Sequence, residues 1–356
     1  MRTVITGSGS FVPANIIKNC NFESQIFYDE KGSLIQREQR EIISKFQQIT
    51  GIEERCYADI GMHSSCMAAI AGAKAIADAG IDAETINQII VAHNFGDIKN
   101  GGAQSDMVPS LASRVKNKLG IKNPSCVAYD ILFGCPGWLQ ALIQADAFTR
   151  CGMANTFLVI GAETLSRVID PHDRDSMIYS DGAGAVITEA RNDTDCNSGI
   201  IGAKTASFTE YEVDYICMGK SNYNDPCNHN HYLKMKGRKV YEFALTHVPA
   251  LVKSCLDAYN ITIKEVKKIF IHQANEKMDE AIIDRLFKLY GIDQVPADIM
   301  PMNIRWHGNS SVATIPTLFD MVSKGALKNH CLNKNDIVVF ASVGAGMNIN
   351  AVCYRV

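Results

Sequence analysis

The sequence predicts an α/β protein made of two related halves, each a mixed sheet covered by helices on both faces. Helical and strand-like patterns alternate along the chain, and 356 residues are more than one core usually fills. The third observation is internal. DAGIDAETINQIIVA, from Asp78, and DAYNITIKEVKKIFIH, from Asp257, share a helix end, a polar turn and a strand. They lie about 180 residues apart, half the chain, so a duplication is the economical explanation. The polar run RNDTDCNS, Arg191 to Ser198, divides the halves into residues 1–190 and 191–356.

Composition narrows the class. Hydrophobic residues at 47% against 21% charged describe a well-buried globular chain. A net charge of −3 gives no general attraction to nucleic acid. No apolar run approaches the roughly 18 residues that span a bilayer, so no membrane insertion is expected. The twelve cysteines form no CxxC pair, and their spacing fits neither a zinc site nor a small disulfide framework. MRTVITGSGSFVP lacks the charged and apolar regions of a signal peptide. These features indicate a reducing compartment, the cytoplasm, with no metal expected.

Taken in order, Arg2 to Phe11 alternates small and β-branched residues and reads as a first strand. Asn21 to Gln48 is polar and charged, with a helical pattern in its second half, and reads as a solvated helix. Gly61 to Gly80 is a helix of small residues suited to close packing on a sheet. Ile86 to Ala92 is a buried strand, and Val108 to Leu119 a helix closed by Gly120. Cys126 to Cys151 reads as a buried strand turning sharply into a helix. Val127, Tyr129, Ile131 and Phe133 alternate, while Trp138, Leu139, Leu142 and Ile143 recur at helical spacing. Phe157 to Gly161 and Gly184 to Thr188 are two more strands, with SDGAG between them. The chain closes with strands Asp336 to Ser342 and Asn348 to Arg355, joined by Gly344, Ala345 and Gly346.

Cys135, at that sharp turn, is the candidate nucleophile. Gly134 and Gly137 flank it, and Pro136 follows where Pro suits a first helical turn. A thiol there faces unpaired N–H groups and the positive end of a helix dipole, which can lower its pKa from about 8.5 to roughly 3.5–7.5. Two other strand ends carry unusual polar residues. Ile269 to Ile271 runs into His272, Gln273, Ala274 and Asn275, and Trp306 to Ser311 reads WHGNSS. Cys, His and Asn supply a nucleophile, a proton carrier and a neutral donor, a set suited to acyl transfer through a thioester. The glycine-rich turn at 344–346 offers the unobstructed N–H groups that an oxyanion hole requires.

With ITGSGSFVP, TGIEER (Thr50 to Arg55), FGCPG, IGAETLSRVIDPHDRDS, SDGAGAVI, IHQAN, HGNSSVATIP and GAGMNINAVCYRV, the chain resembles the thiolase-like superfamily nearly end to end. Within it, the resemblance is to the 3-oxoacyl-acyl carrier protein synthase III family. This implies the thiolase fold, an internally duplicated α-β-α-β-α arrangement of five layers. It also implies a catalytic Cys135, His272 and Asn309. In that family the Cys takes an acyl group from acyl-CoA or an acyl carrier protein. His and Asn hold a malonyl thioester, whose decarboxylation gives the enolate that attacks the acyl group. Neutral donors suit a developing enolate oxygen, which a carboxylate would repel. Backbone N–H groups of Cys135 and Ala345 are the implied oxyanion hole. Arg174, Arg238, Asn275 and Lys277 are the implied contacts to CoA or to the carrier arm. Val108 and Phe133 shape the acyl pocket, Val108 at the place where one subunit gates its partner's tunnel. The family further implies a homodimer, acyl carrier protein as partner, and no cofactor beyond the thioester substrates.

The departures carry expectations of their own. Where the family commonly stacks the CoA adenine on a Trp before TGI, Lys45 and Ile49 occupy the region, leaving Arg174 alone. A carrier-bound donor is therefore expected over free acyl-CoA. Leu132, Phe133 and Pro136 add bulk beside the nucleophile, which raises an alternative, a non-decarboxylating acyltransferase of specialised metabolism. A noncatalytic partner subunit would be expected to have lost one of the three residues, and all three are present. A Cys-His-Asn protease would carry CGSCW, which is absent.

Overall fold

The computed structural model describes residues 1–99, 104–192 and 197–356. Its first sheet has strands β1 (Arg2–Phe11), β2 (Gln88–Ala92), β3 (Val127–Ile131), β4 (Thr156–Thr164) and β5 (Asp181–Arg191), in the order β1-β5-β4-β2-β3. The second has β6 (Gly199–Ser207), β7 (Val266–Ile271), β8 (Ile337–Gly344) and β9 (Asn348–Arg355), in the order β6-β9-β8-β7. Reading from β1 or from β6, the pairings run antiparallel, antiparallel, parallel in both. The similarity between the Asp78 and Asp257 segments is thus a similarity of structure. Each is a helix end, a short 3-10 turn and then β2 or β7. Of the RNDTDCNS run, residues 193–196 lie outside the described residues; β5 ends at Arg191 and β6 begins at Gly199.

The helices are α1 (Gln39–Thr50), α2 (Ser64–Ala79), α3 (Leu111–Lys118), α4 (Gly137–Arg150), α5 (Gly237–Ala258), α6 (Glu276–Lys288), α7 (Ile304–His307) and α8 (Thr314–Ser323). Strand alternation decides which helices meet which sheet face. On β2, Ile89 and Val91 turn outward to Ala68, Ala71 and Ala75 of α2 and Leu111 and Val115 of α3, while Ile90 and Ala92 turn inward. On β8, Val339 and Ala341 face Val248 and Val252 of α5 and Ile282 and Leu286 of α6, while Val338 and Phe340 turn inward. The two inward faces share one core with Trp138, Leu139 and Leu142 of α4 and Ile315, Leu318 and Phe319 of α8. This is the five-layered α-β-α-β-α arrangement, and its middle layer, α4 and α8, belongs to both halves.

Local expectations are corrected in four places. β3 is an edge strand with Val127 exposed, because no strand among the described residues pairs beyond it. SDGAG is not a connection: β5 already begins at Asp181. The helix expected from Val108 starts at Leu111, where the Ser110 hydroxyl accepts from Ser113 N and caps it. The helix in Asn21 to Gln48 is only half solvated. Ile42, Ile43 and Phe46 make an apolar stripe on α1 that packs on Phe22, Phe27, Leu165 and Ile304. No helix among the described residues is long and apolar enough to cross a membrane.

Phe340 holds the middle layer together, its ring lying 5.9 Å from Trp138, 5.3 Å from Phe270 and 5.5 Å from Phe319. Phe340→Ala should cost about 3–5 kcal/mol. Denaturant unfolding would show this as a lower midpoint, and an unchanged midpoint would contradict a shared middle core.

Candidate active site

Four chain segments converge where the middle layer meets the strand ends. The first is the turn between β3 and α4. Gly134 adopts φ +67°, Pro136 is the N-cap of α4, and Cys135 stands between them, half-buried. The second is the turn after β8. A Cβ built on Gly134 would stand 2.7 Å from Ala345 N, and one on Gly344 would collide with Cys135 N. Both glycines are therefore required for backbone-to-backbone approach, which sets Ala345 against Cys135.

The third and fourth segments, after β7 and after α7, couple His272 to Asn309. His272 follows β7, its N–H bonded to Ala341 O at 2.8 Å. Gln273, fully buried, donates from Nε2 to Pro301 O at 2.9 Å and accepts at Oε1 from Asn303 N (2.9 Å) and Ile304 N (3.0 Å). It clamps the loop that enters α7 and leads to Asn309. Asn309 is held by its own backbone, its N donating to Ile178 O at 3.0 Å and its O accepting from Ser180 N at 2.9 Å. Its Oδ1 accepts from Ser311 N at 2.8 Å, which leaves the amide N–H groups as its outward face.

Burial dominates the electrostatics. His272 is 4% exposed with Nδ1 unpartnered, and desolvation pushes it down to about 4. It is a neutral imidazole at physiological pH. Desolvation also pushes the Cys135 thiol up to about 11, against a hydrogen bond from Ser311 that pulls it down. The low pKa expected from the helix N-terminus is therefore not what the structure gives: Pro136 has no N–H, Gly137 N is already bonded to Gly134 O, and burial outweighs the hydrogen bonds that favour the thiolate. Tyr179, buried between Ile178 and Ser180, is raised well above its ordinary value by desolvation, with Asp175 and Cys135 adding to the shift. Glu163, on β4, is pushed up to about 8 by burial.

The remaining expected residues are dispersed. Asn275 caps α6, its Oδ1 accepting from Met278 N at 3.0 Å, so its first task is structural. Lys277, the second residue of α6, is exposed. Arg174 is exposed with Nε 3.8 Å from Asp175, and Arg238, 91% exposed, pairs with Glu242 at 2.8 Å. Val108 is 88% exposed. Phe133 packs against the middle core, 3.7 Å from a Cβ placed on Gly137. His307 bonds Asn303 Nδ2 at 3.1 Å and is a loop anchor. The 21–48 stretch is strapped beside Arg174: Tyr28 N donates to His172 O at 2.9 Å, and the His172 ring sits among Tyr28 and Tyr223. Sequence reasoning gave no role to Gln273 or Ser311 and missed Asn94, Tyr179 and Glu163. A charge inside the apolar run FLVIGAET was the one signal that could have found Glu163. Among the described residues no group of three His, Cys, Asp or Glu could hold a metal ion.

Known proteins resemble this chain along its whole length. The family models for 3-oxoacyl-[acyl-carrier-protein] synthase III and for its C-terminal part match residues 129–207 and 256–356. The beta-ketoacyl-[acyl-carrier-protein] synthase III of Ehrlichia chaffeensis is 32% identical over 100% of this chain and 99% of its own length. That of Porphyra purpurea is 33% identical over the same shares. The crystal structure of the synthase III from Aquifex aeolicus VF5 superposes with a TM-score of 0.78 at 28% identity, covering 99% of this chain and 100% of that one.

The Glu163 carboxyl makes a testable contribution to stability. Its folded value of about 8 lies above the ordinary 4.5, so between these the folded state keeps a proton that the unfolded chain releases. Stability is thereby lost as pH rises from about 4.5 to 8. Glu163→Gln should lose less Tm than the wild type between pH 5 and pH 8; equal losses would mean that the group titrates normally.

Proposed function

The chain belongs to the 3-oxoacyl-[acyl-carrier-protein] synthase III family, and from that premise we propose that Cys135, His272 and Asn309 carry out a decarboxylative Claisen condensation. The observation that supports this best is the juxtaposition of the Cys135 and Ala345 turns with two neutral donors, His272 and Asn309, held by buried scaffolds. Cys135 exchanges with an acyl thioester, forming acyl-Cys135 and releasing the donor thiol with the transferred proton. The N–H groups of Cys135 and Ala345 stabilise the oxyanion of that exchange. A malonyl thioester on acyl carrier protein then binds with its carbonyl oxygen between His272 and the Asn309 amide.

Loss of CO₂ leaves an enolate, which neutral donors stabilise without neutralising a fixed charge. The enolate carbon attacks acyl-Cys135. The C–S bond breaks, the departing thiolate takes a proton from solvent, and a 3-oxoacyl thioester leaves on the carrier. A neutral His272 suits this role, since an imidazolium would bind the malonyl carboxylate as readily as the enolate and so gain little in the transition state. Exposed Lys277 and Arg238 suit an acidic carrier, and the strap at Arg174 suits a carrier-bound donor over free CoA. The open edge of β3, with exposed Val127 and Leu132, suits a homodimer in which Val108 reaches the partner's acyl pocket.

Intact-protein mass spectrometry tests the assignment. With a panel of acyl-CoA and acyl-carrier thioesters, wild type should gain an acyl mass that Cys135→Ala does not, and malonyl carrier protein should discharge it. His272→Ala and Asn309→Ala should load but discharge roughly 10²–10³-fold more slowly each. Loading without discharge in the wild type would mark a non-decarboxylating acyltransferase. No loading would mark a noncatalytic subunit.

A further inference from the structure

Glu163 stands out in its strand. The rest of β4 is apolar, small or Thr, and this carboxyl is 1% exposed with Oε2 unpartnered. Its Oε1 accepts twice from one residue, from Asn94 N at 2.7 Å and Asn94 Nδ2 at 2.5 Å. Asn94 Nδ2 also donates to Ser311 Oγ at 3.1 Å, and Ser311 Oγ donates to Cys135 Sγ at 3.2 Å. We propose that Glu163, acting through Asn94 and Ser311, is a positioning residue that aims a hydrogen bond at the Cys135 sulfur and so sets the reactivity of the thiol. This deepens the reading of Cys135 as nucleophile and rests on it.

The polarity of the chain follows from counting protons. An amide nitrogen carries two N–H groups and a hydroxyl one O–H. Glu163 takes one amide proton, which fixes which end of Asn94 faces inward, and the second amide proton goes to Ser311 Oγ. With its oxygen already accepting, Ser311 spends its single proton on the sulfur. Without the carboxyl, the Asn94 amide can turn its oxygen toward Ser311, whose hydroxyl would then donate to Asn94 and abandon Cys135. A hydrogen bond to sulfur favours the thiolate over the thiol.

Charge enters through the same residue. The Glu163 carboxylate, once formed, disfavours a thiolate at Cys135. Among the described residues, Asp181 on β5 further disfavours ionisation of Glu163, Tyr179 just before β5 interacts with Cys135, and His272 at the end of β7 is uncharged. Glu163→Gln keeps an acceptor oxygen for Asn94 and removes the ionisation, whereas Glu163→Ala removes both.

The test is the pH profile of Cys135 alkylation by iodoacetamide, read from the mass of the Cys135 peptide, with circular dichroism and thermal melts confirming the fold. Ser311→Ala and Glu163→Ala should each raise the midpoint by about one unit, roughly a tenfold slower alkylation at pH 7.5. The double variant should shift no further than either single one, since both break one chain. Glu163→Gln should not raise the midpoint. Unchanged profiles in folded Glu163→Ala, or additive shifts in the double variant, would overturn the proposal. Should Glu163→Ala fail to fold, Asn94→Ala carries the same expectation and the same refutation. Alkylation needs neither acyl nor malonyl thioester, so loss of the condensing reading and loss of this one are distinguishable.

Discussion

The backbone at Ala345 can touch the turn carrying Cys135 only because residues 134 and 344 lack side chains. That approach joins the two halves at one point, since the first turn closes β3 of the five-stranded sheet and the second closes β8 of the four-stranded sheet. The middle layer serves it. α4 carries Cys135 at its N-terminus, α8 follows directly on the Asn309 loop, and the aromatic cluster around Phe340 keeps the sheets at a fixed separation. Duplication supplies two strand-end platforms facing each other, and the reacting groups come from both.

Convergence brings desolvation, and desolvation sets the protonation states. A buried thiol goes up and a buried imidazole goes down, so the resting site holds two neutral groups where an ion pair would otherwise form. Neutral His272 and the outward Asn309 amide then act as donors whose benefit grows as charge develops on a substrate oxygen. The same burial raises Glu163, which is kept as an acceptor without a full charge beside the nucleophile at pH 7. Gln273 does comparable work between His272 and Asn309, with three hydrogen bonds to the 301–304 loop.

Much of this was legible in the sequence, for physical reasons that differ by residue. β2, β4 and the closing strands β8 and β9 announce themselves because strands buried on both faces are runs of apolar residues, and the repeat at Asp78 and Asp257 gave the duplication. Cys135 and His272 stood out as polar residues where buried strands end, and Asn309 as an amide beside Gly308, although the structure places Asn309 after α7 and not at a strand end. Edge status was invisible: Val127, Tyr129 and Ile131 alternate in β3 whether or not another strand covers them. α1 read as solvated because its stripe of Ile42, Ile43 and Phe46 is interrupted by charge on the other faces. The thiol's pKa could not be read either, since a helix N-terminus is visible in sequence and the depth of a turn is not. Ser311, Asn94 and Glu163 are 69 to 217 residues apart in bonded pairs, so only the folded chain shows them as one line.

Release of labelled CO₂ from malonyl carrier protein, measured without any acyl donor, separates the two duties assigned to this site. Cys135→Ala should still release CO₂, because His272 and Asn309 stabilise the enolate whether or not an acyl group waits on sulfur, while His272→Ala and Asn309→Ala should lose it. Loss of release in Cys135→Ala with retention in His272→Ala would contradict the account.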